Sequence, residues 1–448
     1  MGFERLEPYD GKLSRTVLRG GADSDVFPLP DYATVECVAR GLDPMKADLV
    51  VADPERSENT LCLAVSVHLK KRGVKNRCRI KEIPQNMKYI VAPPRMQLYI
   101  DCAAEIYGVF LKYLAPEDIY VYSIDESFLD VTPYLKMYGM STKELAKKIM
   151  QDVKDTVGTL CTCGIGTNLY LAKIALDLTA KHADDFIGEL TEESYREKLW
   201  DHKPITDFWR ISTGTEARLK RYGISTMRDI ALFDEDCLYR CFGVDAELLI
   251  DHAWGREPTT IKDIKSYKSK SKSMSSSQVL MRNYSFSEGQ LIAKEMADQI
   301  CLDMAAKNLV TESITLWVGY SYTEGVPSVL ATAQFCRPTN LAVEVVPAIS
   351  ALFRRIVNPA FAIRRISLTC NGVTEDTGVL QLNMFEDVSK QLREKALQEA
   401  LLGIRARYGK NAILKGMNFE EAATGRERNE QIGGHKANGT SKSAHAPI

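Results

Sequence analysis

The chain has 448 residues, 45% of them hydrophobic and 26% charged, with a formal net charge of −1. At roughly 100–200 residues per domain, that length calls for three or four domains, and the composition excludes a fibrous repeat and a wholly disordered chain. Near-neutrality excludes a global electrostatic field for nucleic acid, so any such binding must come from local basic patches.

No apolar run approaches the roughly 20 residues of a membrane helix. The opening Met1-Gly2-Phe3-Glu4-Arg5 has no signal-peptide core, so a cytoplasmic protein without membrane association is expected. The 11 cysteines are scattered and odd in number, which predicts reduced thiols. Cys161/Cys163 and Cys237/Cys241 lack a second pair or His cluster at zinc spacing and read as small hydrophobes.

In chain order, residues 1–31 read as an irregular, atypical segment, broken by Gly20-Gly21, Pro28 and Pro30. Short apolar runs at 49–52, 61–66 and 88–92 predict buried strands, and 96–114 an amphipathic helix stopped before Pro116. Residues 120–132 alternate β-branched and aromatic side chains around two acids, as a hairpin does. Ser141 caps a helix to about 157, a strand covers 160–166, and a helix covers 169–181.

Strands interleaved with helices, without strict alternation, predict an α+β layer over about 24–185. Residues 195–255 read as short helices. Residues 256–277, with Lys262, Lys265, Lys268, Lys270, Lys272 and repeated serines, read as a linker. The order strand, helix, strand, strand, helix, strand over 278–375 predicts a small α+β domain. A tail over 376–448 holds one helix at 388–408 and a disordered last two dozen residues.

The chemistry centres on Tyr122-Ser123-Ile124-Asp125-Glu126-Ser127-Phe128-Leu129-Asp130. Nucleotidyl transfer uses two divalent metals about 3.5–4 Å apart, and hard magnesium ions prefer carboxylate oxygen. Neighbours on a strand point to opposite faces, so Asp125 and Glu126 make a site only where a tight turn turns both toward one cleft. By itself an Asp-Glu pair is an ordinary surface feature.

The stretch 121–132 resembles the second catalytic motif of the Y family of lesion-bypass DNA polymerases, in the bacterial branch that includes DNA polymerases IV and V. Tyr32-Ala33-Thr34-Val35-Glu36-Cys37 resembles that family's steric-gate segment. Gly164-Ile165-Gly166-Thr167-Asn168-Leu169-Tyr170-Leu171-Ala172-Lys173 resembles the segment after its last palm strands. Residues 204–230, with Trp209 and Tyr222-Gly223-Ile224, look like its thumb. The resemblance covers about 32–385. It implies a multidomain α+β right hand: palm and fingers from 32–95, palm with catalytic hairpin over 96–190, helical thumb over 195–255 and little finger over 278–375.

It further implies a monomer, with accessory subunits allowed, that copies damaged template in DNA repair and the SOS response. Its partners would be primer-template DNA, dNTPs and the sliding clamp, and its cofactor two Mg2+ ions. Asp125 and Glu126 would be catalytic metal ligands. Tyr32 would lie under the sugar and exclude a 2′-hydroxyl, and Lys173 and Lys70 would touch the triphosphate. Core packing for Tyr32 and a solvated helix face for Lys173 are the alternatives.

One departure stands out. Family members carry a third metal-binding Asp five residues before the gate, where this chain has Phe27. Phenylalanine cannot bind magnesium; Asp25, two residues earlier, is a substitute shifted by about 6.6 Å along a strand. The match begins abruptly at Tyr32, which suggests an altered start, and a catalytically impaired DNA- and clamp-binding homologue is the rival expectation.

Arg210-Ile211-Ser212-Thr213-Gly214-Thr215 resembles a helix-hairpin-helix turn that holds a DNA phosphate through backbone N–H groups, with Ser212 where the family usually has Gly. An ordinary helical turn is the alternative. The Lys-rich bridge and Arg282 suit salt-sensitive tracking of duplex backbone. Gln381-Leu382-Asn383-Met384-Phe385 resembles a sliding-clamp-binding peptide, with Gln381 hydrogen-bonding in one pocket and Leu382, Met384 and Phe385 filling an apolar one.

Overall fold

The computed structural model describes residues 24–28, 31–53, 55–56, 59–269, 272–378 and 388–438. The chain divides into two compact units, Met1–Tyr267 and Lys268–Ile448.

In the first unit, β1 (Ser24–Pro28) precedes α1 (Tyr32–Ala39), whose first turn is capped by the Asp31 carboxylate. β2 (Leu49–Val51), β3 (Ala64–Val65), α2 (Val67–Lys71) and β4 (Ile90–Ala92) follow. These strands form a small sheet in the order β3-β2-β4, closed over buried Val50, Val65 and Leu69. Then come α3 (Met96–Phe110), β5 (Ile119–Ser123), β6 (Glu126–Asp130), α4 (Thr132–Tyr138) and α5 (Thr142–Val157).

Helix α5 follows directly from its sequence. Ser141 and Glu144 cap each other's backbone, and Leu145, Ala146, Ile149 and Val153 bury one stripe. Gly158 ends it in the left-handed conformation, at φ 72°. β7 (Cys163–Gly166), α6 (Leu169–Ile174) and β8 (Ile187–Leu190) complete a five-stranded sheet in the order β5-β6-β1-β7-β8. All pairs are antiparallel except β7 with β8.

Two expectations are corrected here. Residues 24–28, read as irregular, form the central strand of this sheet, with Phe27 paired to Ser127 and Pro28 to Glu126. Pro28 is the strand's last residue, where a missing N–H breaks little of the ladder. The helix expected over 169–181 is regular only to Ile174; a π-helical turn (Ala175–Thr179) and a 3-10 turn (Ala180–His182) follow.

The unit ends in short helices: α7 (Glu192–Leu199), α8 (Thr213–Lys220), α9 (Met227–Leu232), α10 (Glu235–Phe242), α11 (Asp245–Trp254) and α12 (Ile261–Ser266). Their core, including Tyr195, Phe208, Leu219 and Ile230, is continuous with Tyr170 and Leu171 of α6. Helix α12 occupies six residues of the stretch read as a linker, because Thr260 and Asp263 form a capping box and Ile261 is buried.

In the second unit, β9 (Met274–Tyr284), α13 (Phe286–Ala306), β10 (Leu309–Tyr320), β11 (Val329–Thr339), α14 (Ala342–Ile356) and β12 (Ile363–Asn371) appear in the expected order. The antiparallel sheet runs β11-β10-β12-β9, and α13 and α14 contribute to one core with Ile314, Leu316, Ile366 and Leu368. β13 (Thr374–Glu375) joins β10, and α15 (Val388–Tyr408) follows.

The end of the chain also departs from expectation. Residues 425–438, read as disordered, include α16 (Gly425–Asn429) and a hairpin of β14 (Gln431–Ile432) with β15 (His435–Lys436). Buried Glu295 on α13 anchors this end by accepting from the Asn418 side chain at 2.6 Å and the Thr424 N–H at 2.8 Å. The peptide Gln381, Leu382, Met384 and Phe385 lies outside the described residues.

Candidate active site

The β5–β6 hairpin solves the problem of two adjacent carboxylates. Its ladder pairs Val121 with Ser127 but Ser123 with Glu126, so Tyr122 is an extra residue, a bulge that re-aims the end of β5. Asp125 lies in the turn and Glu126 opens β6. The Ser123 hydroxyl donates to Asp125 Oδ1 at 2.6 Å and fixes the turn.

Glu126 is bound by Lys173, whose Nζ lies 2.7 Å from each carboxylate oxygen. Burial and the Asp177 and Asp125 charges raise the Glu126 pKa against the opposing Lys173 ammonium. Lys173 is itself 5% exposed. Burial works to lower its pKa, but the Glu126 and Asp177 carboxylates outweigh it and the net shift is upward.

Lys173 is delivered by the close crossing of α6 over β7. A Cβ on Gly166 would stand 2.1 Å from the Ala172 nitrogen, so only glycine permits that approach. Asp177, 3.2 Å from Lys173, is presented by the π-helical turn. The sequence reading missed Asp177; its i,i+4 spacing from Lys173 was the available signal.

Tyr32 stacks on Tyr99, ring centroids 4.5 Å apart and planes 11° from parallel. Its hydroxyl is pushed up to about 12 by burial and by the carboxylates of Asp125 and Asp31, with Arg77 opposing. Tyr32, Asp125 and Arg77 therefore share one electrostatic neighbourhood. Lys70 reaches the same corner, with its Nζ 2.7 Å from Asp31. Arg77, at φ 57°, was not singled out in the sequence.

Behind Tyr32 lies a support absent from the sequence reading. Glu36 has no exposed surface and accepts from the Tyr99 hydroxyl at 2.7 Å and from Arg95 through both oxygens, at 3.0 and 2.7 Å. Such a fork-to-fork pair fixes geometry as well as charge. The partners stand 59 and 63 residues from Glu36, beyond local pattern.

Thus Asp125, Glu126, Lys173 and Tyr32 converge, and Lys70 borders them. Asp25 is paired with Leu129, three residues along β6 from Glu126, or about 10 Å at roughly 3.3 Å per residue. That register does not bring Asp25 to the turn.

Residues 30–177 match the impB/mucB/samB family and residues 271–384 match that family's C-terminal domain. The chain is 31% identical over 409 residues to the putative UV-damage repair protein UvrX of Bacillus subtilis, covering 91% of this chain and 95% of that one. It is 27% identical over 407 residues to DNA polymerase IV 2 of the same organism, covering 90% and 96%. A solved Y-family DNA polymerase chimera of Dbh and Dpo4 shares the fold, with a TM-score of 0.59 at 20% identity, over 79% of this chain and 99% of that one. With both family regions matched and a relative this similar along nearly its whole length, the chain belongs to the impB/mucB/samB family and is a bacterial Y-family polymerase.

Proposed function

We propose that the protein extends a DNA primer opposite damaged template by adding dNTPs, with Asp125 and Glu126 as its metal-binding carboxylates. The convergence of Asp125, Glu126, Lys173 and Tyr32 carries this reading. The names of the relatives, a UV-damage repair protein and DNA polymerases IV, support it.

Magnesium is commonly held by one or two carboxylates together with substrate phosphates and water. Asp125 and Glu126 fit that donor set. Among the described residues no three His, Cys, Asp or Glu side chains form a metal-holding group. Among the described residues, Asp125 and Glu126 are therefore the pair that would hold an ion together with the substrate. When bound, the metal would withdraw charge from the attacking 3′ oxygen and the phosphoryl oxygens.

The chain's own groups do the rest. Ser123 holds the Asp125 carboxylate in the turn. Lys173, released from Glu126, would place a compact ammonium on the triphosphate, with Lys70 and Arg77 on its other side. The Tyr32 ring, backed by Tyr99, would close the space a 2′-hydroxyl needs. Ser212–Thr215, at the start of α8, would hold a template-primer phosphate through backbone N–H groups. The clamp-like peptide Gln381, Leu382, Met384 and Phe385 would dock on the sliding clamp, a reading supported by sequence alone.

A second reading, a catalytically impaired DNA-binding homologue, is favoured by one observation: the residue paired to Ser127, beside the Pro28–Glu126 pair, is Phe27. Primer extension with magnesium separates the two. Synthesis that disappears in Asp125→Asn supports the first reading. DNA binding without magnesium-dependent extension supports the second, and absence of both overturns each.

A further inference from the structure

Between the short helices and the catalytic hairpin stands a column of aromatic rings. His252 of α11, 3% exposed, lies face to face with Tyr170 of α6 at 4.0 Å, and Trp209 stacks 6.0 Å from it. Glu257 meets His252 Nε2 at 3.0 Å, and the Tyr195 hydroxyl donates to the His252 carbonyl at 3.1 Å, so the ring and the backbone of this residue are each held. Trp209 in turn meets Tyr122 edge-on at 5.9 Å, and its Nε1–H donates to the Tyr122 hydroxyl at 3.2 Å.

Tyr122 is three residues before Asp125, and Tyr170 three before Lys173. The hairpin that bears Asp125 therefore leans on Trp209 and the helix that bears Lys173 on His252, two rings stacked on each other. Trp209 is also the hinge of the proposed phosphate grip. Directly after it Arg210 adopts φ +70°, a left-handed backbone that a non-glycine residue adopts only where its surroundings enforce it. The Arg210 guanidinium stacks over Trp209 at 4.8 Å, and Ser212 then caps α8. The strained residue lets one short segment put a ring against the hairpin and the start of α8 in solvent.

We propose that Trp209 is a positioning residue that couples phosphate binding at the start of α8 to the geometry of the Asp125–Glu126 turn, with His252 as its backstop. This rests on the reading of Ser212–Thr215 as a phosphate grip. A rigid ring pinned between strand and helix transmits a shift because packed contacts have few alternative arrangements. Small misplacement at a reacting centre can cost up to about 100-fold in rate.

The test uses Trp209→Phe, which keeps a ring and loses the N–H, Tyr122→Phe, which loses its acceptor, and the double variant. Three quantities are measured on the full chain: primer-template affinity by fluorescence anisotropy, DNA-induced amide-exchange protection of residues 119–130, and kcat against KM for dNTP. Each single variant is expected to bind DNA within about twofold of the parent, to lose most of that protection, and to lower kcat about tenfold at similar KM. The double variant should go little further, because one interaction is removed twice.

Equal protection in parent and variants, with DNA binding intact, overturns the coupling and leaves the polymerase reading standing. Independent, additive losses overturn it as well. Absence of primer-template binding by the parent removes both proposals. The exchange measurement reads the coupling even where catalysis is weak.

Discussion

Lys173 places its ammonium 2.7 Å from both carboxylate oxygens of Glu126 while Asp177 stands 3.2 Å away. One buried cation is thus shared by two acids from different elements, a strand and a π-helical turn. The arrangement gives Lys173 a second anion to hold whenever Glu126 is engaged elsewhere.

Replacing Lys173 with Met should therefore destabilise the first unit. Glu126 would stay largely buried with its cation gone, and a stranded polar group costs about 1–3 kcal/mol. The urea midpoint measured in the presence of a chelator should fall accordingly. An unchanged midpoint would show that the ion pair contributes nothing net.

The second unit should carry an acid-sensitive cap. The Glu288 carboxyl is pulled down to about 2, first by the Arg282 guanidinium and then by the Ser285 backbone N–H. A folded pKa below the ordinary value gives stability that is present above about pH 4.5 and lost as pH falls toward 2. Its size is about 1 kcal/mol after screening, since Glu288 is a partly exposed capping residue. Glu288→Gln should remove that slice of the acid sensitivity. A Glu288 carboxyl titrating near 4.5 by NMR would sink the idea.

Gly166→Ala should be among the costliest small substitutions. The added methyl would meet the Ala172 nitrogen at 2.1 Å and the Leu171 carbonyl carbon at 2.5 Å, both backbone atoms that cannot swing away. Over-packing of this kind costs about 1–3 kcal/mol or more. Because α6 would be lifted from β7, Lys173 should lose Glu126 at the same time. A fall in thermal midpoint together with lost nucleotide binding would bear this out; normal stability would refute it.

How much of this was legible follows from where each partner lies in the chain. Ser141 with Glu144 and the apolar stripe of α5 are local, so the helix could be read from its own residues. The Asp125–Glu126 hairpin was readable for the same reason, but its bulge at Tyr122 is set by pairing and left no local mark. β1 was misread because Pro28 and Pro30 are strong local breakers, whereas its ladder comes from residues 98 to 142 positions away. The Glu36–Arg95–Tyr99 support was invisible on similar grounds. The fold at 425–438 depends on Glu295, a residue of a distant helix.

The Tyr32 ring should govern sugar selection. It lies flat on Tyr99, and Tyr99 is fixed by Glu36 and Arg95, so the ring has little room to yield. Tyr32→Ala would open that space and should raise ribonucleotide incorporation relative to dNTP by about tenfold or more. Single-nucleotide insertion with matched dNTP and rNTP measures the ratio. An unchanged ratio would place the sugar elsewhere.

The decisive substitution is Phe27→Asp. The β1 backbone already holds residue 27 in register with Ser127, one step from the strand end that pairs with Glu126. If the missing carboxylate limits chemistry, restoring it would supply the hard oxygen ligand that the family resemblance implies for the metal site. Magnesium-dependent extension should then rise by at least about 100-fold, roughly 2.7 kcal/mol in barrier. Manganese affinity measured by paramagnetic resonance should rise in parallel, with primer-template affinity unchanged. A gain in metal affinity without a gain in rate would move the impairment from the metal site to substrate positioning. No gain in either would mean that the register of β1 does not bring residue 27 to the metal, and that its carboxylate is not what this chain lacks.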